Sequence, residues 1–401
     1  MSTTIHVMPR PEIYKASAVW VTAHNWAAAA ERRWGQAFFW VGDRCFDPQD
    51  AMLYANRGAD RRSSPPKRRS ILLRTLAKDA RWLREDLRYR ARDLSKQIDL
   101  TDVTYIWQHH DLFLRGGHRL GRLVGAPVVS FVDSLIVWES SKWGVKRPGW
   151  GPLLETTGEI PSLRAADVIA CVSQEVADAV ESKGVSASKI IITPCTAEPE
   201  LFAATPQQRQ SVRGELGLKG RFVVGWTGSF RRFHALDTLM EAFSLLACEA
   251  NEARLMLVGG GPERDRIEAL ACQLGVRDRV LFVGSIPHDQ MARYLAAMDA
   301  GVLTADPRAQ FHYSPLKLRE YLAASLPVLA PNVGEPARLL SDGRDAMLYP
   351  PGESAALARQ LLFLRSNARL RYDIGRAGRT LQERTGTMSV NLSRLERALV
   401  G

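Results

Sequence analysis

Apolar positions along the chain follow two alternating rhythms. Short runs at 3–8, 37–42, 103–107, 127–132, 168–172 and 189–193 are dense in Val, Ile and aromatic residues and read as strands. Between them apolar residues recur every three or four positions, as near 16–33, and read as helices. Strand runs that are apolar throughout and alternate with helices are the sequence form of a parallel sheet covered on both faces. A polar stretch at 203–220, containing Pro206, Gln207 and Gln208, breaks the pattern. It restarts with RFVVGWTG, RLMLVGGG, RVLFVGSI, GVLTA and LPVLAPN. The pattern predicts an α/β chain of two Rossmann-like, doubly wound domains facing a central cleft. These would be 1–205 and 206–385, followed by a C-terminal segment at 386–401. Ligands of such sheets bind beyond the strand C-terminal ends, where helix N-termini also converge.

One helical signal stands apart. Leu72, Leu76, Ala80, Leu83, Leu87, Ala91, Leu94 and Ile98 share a face of a single helix over 70–97, with Ser70 as its N-cap. Arg74, Arg81, Arg84, Arg88, Arg92 and Lys96 lie off that stripe. The segment before it, 57–69, holds Ser63, Ser64, Pro65 and Pro66 and reads as an exposed basic loop. Two readings of the helix stand: a core-packed stripe with a soluble basic face, or a surface for an anionic acceptor, such as a lipid-linked intermediate at a membrane or a charged glycan.

Charge and composition narrow the classes. The net charge is +11, and residues 61–96 hold 13 basic side chains against four acidic ones, so an anionic partner is in play. The basic block lacks the aromatic interleaving of single-strand binders and any zinc-finger or basic-zipper pattern, so nucleic acid is not expected. A hydrophobic share of 46% with 24% charged residues is globular and argues against disorder. No run approaches the roughly 18 apolar residues that span a bilayer, and the start lacks a signal-peptide pattern. The five cysteines (Cys45, Cys171, Cys195, Cys248, Cys272) show no CxxC spacing, which speaks against a disulfide scaffold or a cysteine zinc site. The expected location is cytoplasmic, with a peripheral position at the inner face of the membrane left open.

Three segments bear on anion binding. VGWTGSF at 224–230 runs a strand into a glycine turn before a helix, with Arg231, Arg232 and His234 in the same loop. Strand–glycine–helix turns are common in α/β proteins, so this alone decides little. VGGGPER at 258–264 lacks the G-x-G-x-x-G spacing, and an ordinary strand end turning into a helix near Pro262 explains it as well. In YSPLKLREYLAASLPV, from Tyr313, Ser314 and Pro315 suit the N-cap and first position of a helix. Lys317 and Glu320 then share a face. An ammonium and free amides at a helix start suit a diphosphate, and a carboxylate further along suits sugar hydroxyls. A plain capped helix with a surface Lys–Glu pair fits the same spacing.

Taken in order, these segments resemble the retaining GT-B glycosyltransferases of family 4 (glycosyl transferases group 1), over about residues 103–385 and best from Phe222 onward. The blocks that carry the resemblance are VGWTGSFRRFHALDTLMEAF, VGGGPERDRIEALACQLGVRDRVLFVGSIPHDQMARYLAAMDAGVL, SPLKLREYLAASLPVLA and DGRDAMLYPPGESAALA. RAADVIACVSQEV and the run from Trp107 to Trp143 match more loosely. The resemblance implies a GT-B fold, with a C-terminal helix at 386–401 packing back on the N-terminal domain, and a retaining, metal-independent hexosyl transfer from a nucleotide diphosphate sugar to an acceptor hydroxyl. The setting it implies is polysaccharide, glycolipid or glycosylated natural-product biosynthesis.

It also implies roles. Gly228, Ser229 and Arg232 would serve the donor phosphates, as would Ser314, Pro315 and Leu316, with His234 and Gly260 also at the donor site. Ser285 and Ile286 would back the base, and His312 would face the donor sugar. Arg231, Lys317, Glu320 and Asp133 would carry the chemistry, and His109 and His110 would meet the acceptor. Three departures matter. His312 stands where the family's E-x7-E pair has its first Glu, Ser325 replaces a usual Gly, and Ser229 and His234 take positions that are often Arg and Lys, so that Arg231 and Arg232 would supply the missing cations. No D-x-D triplet occurs, which agrees with a site that needs no metal and no other cofactor. The expected partners are therefore the nucleotide-sugar donor, an acceptor glycan, lipid-linked sugar or small molecule, and an anionic membrane surface on the second reading of the basic helix. The alternatives are a GT-B nucleotide-sugar epimerase or hydrolase without acceptor, or a non-catalytic anion-binding protein.

Overall fold

In the computed structural model, the described residues are 2–11, 17–59, 71–142, 145–308 and 311–400. The chain forms two compact units, Met1–Pro194 with Met388–Gly401, and Cys195–Thr387. Each is an α/β unit around one sheet.

The first unit holds β1 (Ser2–Val7), β2 (Gly35–Val41), β3 (Arg44–Phe46), β4 (Val103–His109), β5 (Val128–Val132), β6 (Val168–Cys171) and β7 (Ile190–Ile192), in the order β3-β2-β1-β4-β5-β6-β7. Every pairing is parallel except that of the short edge strand β3 with β2. Strands such as β5, buried at all five positions, show why the sequence reads as continuous apolar runs rather than alternating ones. Trp26, Trp107 and Phe131 fill the core on one side of the sheet, and the Met388–Val400 helix adds Leu392 and Leu395 to it. Asn391 ties that helix down by donating to the Pro194 carbonyl at 2.9 Å.

The second unit holds β8 (Phe222–Thr227), β9 (Ala253–Val258), β10 (Val280–Gly284), β11 (Ala300–Val302), β12 (Val328–Pro331) and β13 (Met347–Tyr349). Its order is β10-β9-β8-β11-β12-β13, all parallel. Strand order reverses between β1 and β4 in the first sheet and between β8 and β11 in the second. Such reversals open the crevice in which doubly wound sheets bind ligands.

Three expectations are corrected. The division falls at 194/195 rather than 205/206, because the polar stretch is no linker. Pro206–Glu215 is a helix with a Thr205–Gln208 capping box, and Arg209 and Arg213 clamp it to Asp299 of the second unit. Only Val212 of it is buried, so apolar periodicity gave no sign of it.

The single helix over 70–97 is two, Ile71–Asp86 and Ala91–Leu94. Its leucine stripe does not face the core. Asp79, Trp82 and Glu85 are the buried residues, while Leu72, Leu76, Leu83 and Leu87 are exposed. The buried acids explain the inversion, since each has an arginine to bury it with. Asp79 accepts from Arg147 at 2.9 Å and from the Trp150 indole at 3.0 Å, and Glu85 pairs with Arg10 at 2.7 Å. Of the basic loop at 57–69, the first three residues end the Pro48–Ala59 helix, and the rest, with Ser70, lies outside the described residues.

Candidate functional site

At the end of β8 the chain turns at Gly228, whose φ of +138° is one that side-chain-bearing residues rarely adopt. A Cβ there would sit 2.8 Å from the Lys317 ammonium, so the glycine is also what lets that cation approach the turn. The next loop fits against the first backbone to backbone. Phe230 donates to the Gly260 carbonyl at 2.9 Å, and a Cβ on Gly259 would lie 1.9 Å from the Gly228 oxygen. The glycines of VGGGPER thus have a packing reason of their own.

From β11 the chain passes through His312, Tyr313 and Ser314 to the Leu316–Ala323 helix. Pro315, with ψ 111°, is the residue before the helix, and no side chain caps the first turn. Ser314 was expected as N-cap. Its hydroxyl instead accepts from the Cys195 amide at 3.1 Å, because Pro315 is too extended to begin the helix. The first-turn amides are therefore not satisfied by a side chain, and uncapped helix starts attract anions.

Lys317 lies on this first turn, half-buried, its Nζ 3.7 Å above the ring of Trp226. Burial pushes its ammonium down to about 7, with Glu320 pulling the other way. Tyr321 locks the helix to the strand, its hydroxyl accepting from the Thr227 amide at 2.8 Å. Glu320 is buried and meets the His288 imidazole at 2.7 Å, which raises His288 above its ordinary value.

The remaining residues of this unit sort by exposure. Ser229, Arg231, Arg232 and Ser285 are exposed, Ile286 is half-buried beside Ser285, and His312 is buried against Tyr313. Gly260 sits where a Cβ would touch the Ser285 hydroxyl at 3.1 Å. His234, expected at the donor site in a position where the family often has a cation, carries no charge. It is buried, its titration lies well below 6.5 through burial and the nearby Lys317 and Arg231, and so it is neutral.

In the first unit, β4 ends in His109, followed by His110 and Asp111, all fully buried. His109 Nδ1 stands 2.8 Å from Asp111 and Nε2 stands 3.5 Å from Asp133, just past the end of β5. Burial opposes its charge, but Asp111 and Asp133 outweigh it and lift His109 to about 10. Burial would likewise raise the Asp133 carboxyl, yet the His109 charge and the Ser134 amide bring it below its ordinary value. His110 faces Glu159 at 3.5 Å, and Glu159 accepts from the amides of Ile136 and Val137 at the start of the Ile136–Lys142 helix. His109 and His110, expected at the acceptor, are thus turned into the fold and held by carboxylates. Of this trio only Asp133, 26% exposed at its side chain, presents a surface.

Sequence reading missed Trp226, His288, Tyr321 and Asp111. Trp226 lay inside a strand pattern, and His288 is 32 positions from its partner, so neither carried a local signal.

Residues 221–367 match the family described as Glycosyl transferases group 1. The chain is 26% identical over 253 residues to the 2-deoxystreptamine glucosyltransferase of Streptomyces kanamyceticus, covering 61% of this chain and 63% of that protein. It is 30% identical over 219 residues to the D-inositol 3-phosphate glycosyltransferase of Nocardia farcinica, covering 52% and 47%. The match thus spans less than two thirds of either relative. Among solved structures, Anabaena HepE in complex with UDP-glucose superposes over 99% of both chains with TM-score 0.69 at 17% identity. Sucrose-phosphate synthase of Thermosynechococcus elongatus gives the same score and identity over 100% and 99%. At these identities the likeness shows the fold.

Proposed function

We propose, on the premise that the second unit of this GT-B-fold chain belongs to the group 1 glycosyltransferases, that the protein is a retaining glycosyltransferase. It would move a sugar from a nucleotide diphosphate sugar to an acceptor hydroxyl. The observation that carries the reading is the Lys317 ammonium on an uncapped helix start, against the Gly228 turn, where the strand order of the second sheet reverses. A preorganised cation and backbone amides are worth most where negative charge develops, here on the departing diphosphate. Lys317, Arg231 or Arg232 and the helix start would neutralise that charge without a metal. Glu320 would accept from ribose hydroxyls, with His288 holding its far side, and the loop at Ser285 and Ile286 would back the base. A departing phosphate oxygen would take the acceptor proton on the same face, so that no protein nucleophile is needed and the anomeric configuration is kept.

The named relatives act on 2-deoxystreptamine and inositol 3-phosphate. By analogy the acceptor here is a polyhydroxylated ring of a glycan, glycolipid or natural product, met by Asp133. We place the reaction in the cytoplasm, with the chain peripheral to the inner face of the membrane.

The test is a thermal-shift panel of UDP, GDP, ADP, CMP and TDP, followed by transfer assays with the sugar of the stabilising nucleotide. A bound ligand stabilises by RT ln(1 + [L]/Kd). Stabilisation by one diphosphate, abolished in Lys317→Ala, supports the site, as do retained anomeric configuration in the product and turnover that survives chelator. No stabilisation by any nucleotide overturns it. Conversion of donor sugar without acceptor would make the chain an epimerase instead.

A further inference from the structure

We propose that the Ile71–Asp86 helix is a docking surface for an anionic phospholipid bilayer. It is seated by its polar side. Asp79, bound by Arg147 and Trp150, and Glu85, bound by Arg10, are buried together with Trp82. Placing acids inward leaves the apolar side outward. Leu72, Leu73, Leu76 and Leu83, with Leu87 just past the helix end, are 43–69% exposed, and Ala80 is exposed among them.

At 100° per residue Leu72, Leu83, Leu76, Ala80 and Leu73 form one stripe about 100° wide. Arg84, Arg81, Arg74 and Lys78 follow it round the helix, all exposed. The order around the axis is therefore anchored face, leucine stripe, basic flank. An apolar stripe with a cationic border is the form that lies in a membrane interface, leucines among acyl chains and guanidinium groups at lipid phosphates.

The charge decides between occupants. A second copy seated on this stripe through a two-fold axis would bring two basic flanks together in a chain of net charge +11, whereas an anionic bilayer complements both parts of the face. The surface stands independently of glycosyl transfer. It lies on the first unit, and no residue of it belongs to the donor site.

The experiment is co-sedimentation of the full chain with vesicles of phosphatidylglycerol mixed with phosphatidylcholine, and of phosphatidylcholine alone, at low and high salt. Wild type pellets with the anionic vesicles at low salt and much less at high salt or with neutral vesicles. Leu76→Glu with Leu83→Glu weakens binding at least about tenfold, the loss expected from removing two buried apolar anchors. Arg81→Gln with Arg84→Gln weakens it by roughly fivefold per residue and flattens the salt dependence. Nucleotide stabilisation measured on the same variants stays as in wild type, which separates a lost docking face from an unfolded chain and from failure of the donor-site reading. Absence of pelleting with anionic vesicles overturns the proposal. So does equal pelleting with neutral vesicles, or self-association in solution that the leucine substitutions abolish.

Discussion

The ammonium of Lys317 makes the sharpest quantitative expectation. Burial lowers it to about 7. A diphosphate beside it restores the charged form and moves its titration back toward the ordinary lysine range. Binding then takes up a proton at any pH between the two values, so affinity is highest below 7 and falls as pH rises through 7. From pH 6 to pH 8 the protonated fraction of the free enzyme drops from about nine in ten to about one in ten. The dissociation constant of a nucleotide sugar should therefore rise about tenfold, or about 1.4 kcal/mol.

Titration calorimetry reads this twice. The dissociation constant gives the slope, and repetition at pH 8 in buffers of different ionisation enthalpy gives an uptake of about 0.9 proton per site. Other groups near the site must be set apart. His234 is neutral throughout this range, while His288 titrates above 6.5 against Glu320. His288→Gln should keep the slope, Lys317→Met should lose it along with affinity, and Lys317→Arg should lose the slope while keeping affinity at pH 8. A pH-independent constant in wild type, or an unchanged slope in Lys317→Met, refutes the reasoning.

Three further outcomes follow from named contacts. Glu320→Gln should weaken nucleotide binding by about 1–3 kcal/mol, the scale of a lost hydrogen bond to a charged group, whereas His312→Glu should shift choice within a panel of donor sugars and leave nucleotide affinity nearly unchanged. Asp133→Asn should lower kcat/KM for the acceptor by at least about tenfold, with the donor dissociation constant unmoved, as transfer and calorimetric assays on one preparation would show. Ser325, at φ +54°, holds a left-handed backbone without being glycine, and Ser325→Gly should stabilise the second unit by about 0.5–1 kcal/mol in a denaturant or thermal unfolding curve.

Legibility in the sequence tracked burial. Both sheets could be read because their strands are apolar on both faces, as in β5 and β8, and such runs are hard to mistake. Three elements escaped for different reasons. β3 is three residues on an edge, too short to show a period. The Pro206–Glu215 helix is held by arginines to Asp299, so its packing lies in ion pairs that hydropathy does not register. The Ile71–Asp86 helix had a clear period, but a period fixes which residues share a face and leaves open which way the face points. The direction was set by Arg10, Arg147 and Trp150, partners up to 75 positions away.

The candidate site divides along the same line. Gly228, Lys317 and Glu320 were legible because local geometry fixes them: a turn that needs positive φ, a first helical turn, and a spacing of three on one face. What gives those residues their chemistry was not legible. The placing of the Lys317 ammonium depends on the Trp226 ring beneath it, the orientation of Glu320 on His288, and the charge of Asp133 on a histidine held in turn by Asp111. Each of these is a contact between strand ends or loops that only the sheet order brings together. A motif therefore names the candidate residue, while its charge and orientation are properties of the fold. His234 shows the consequence. It occupies a position where the resembling family often has a cation, and burial beside Lys317 and Arg231 keeps it neutral, while Arg231 and Arg232, the cations the sequence already offers in its place, are exposed on the same loop.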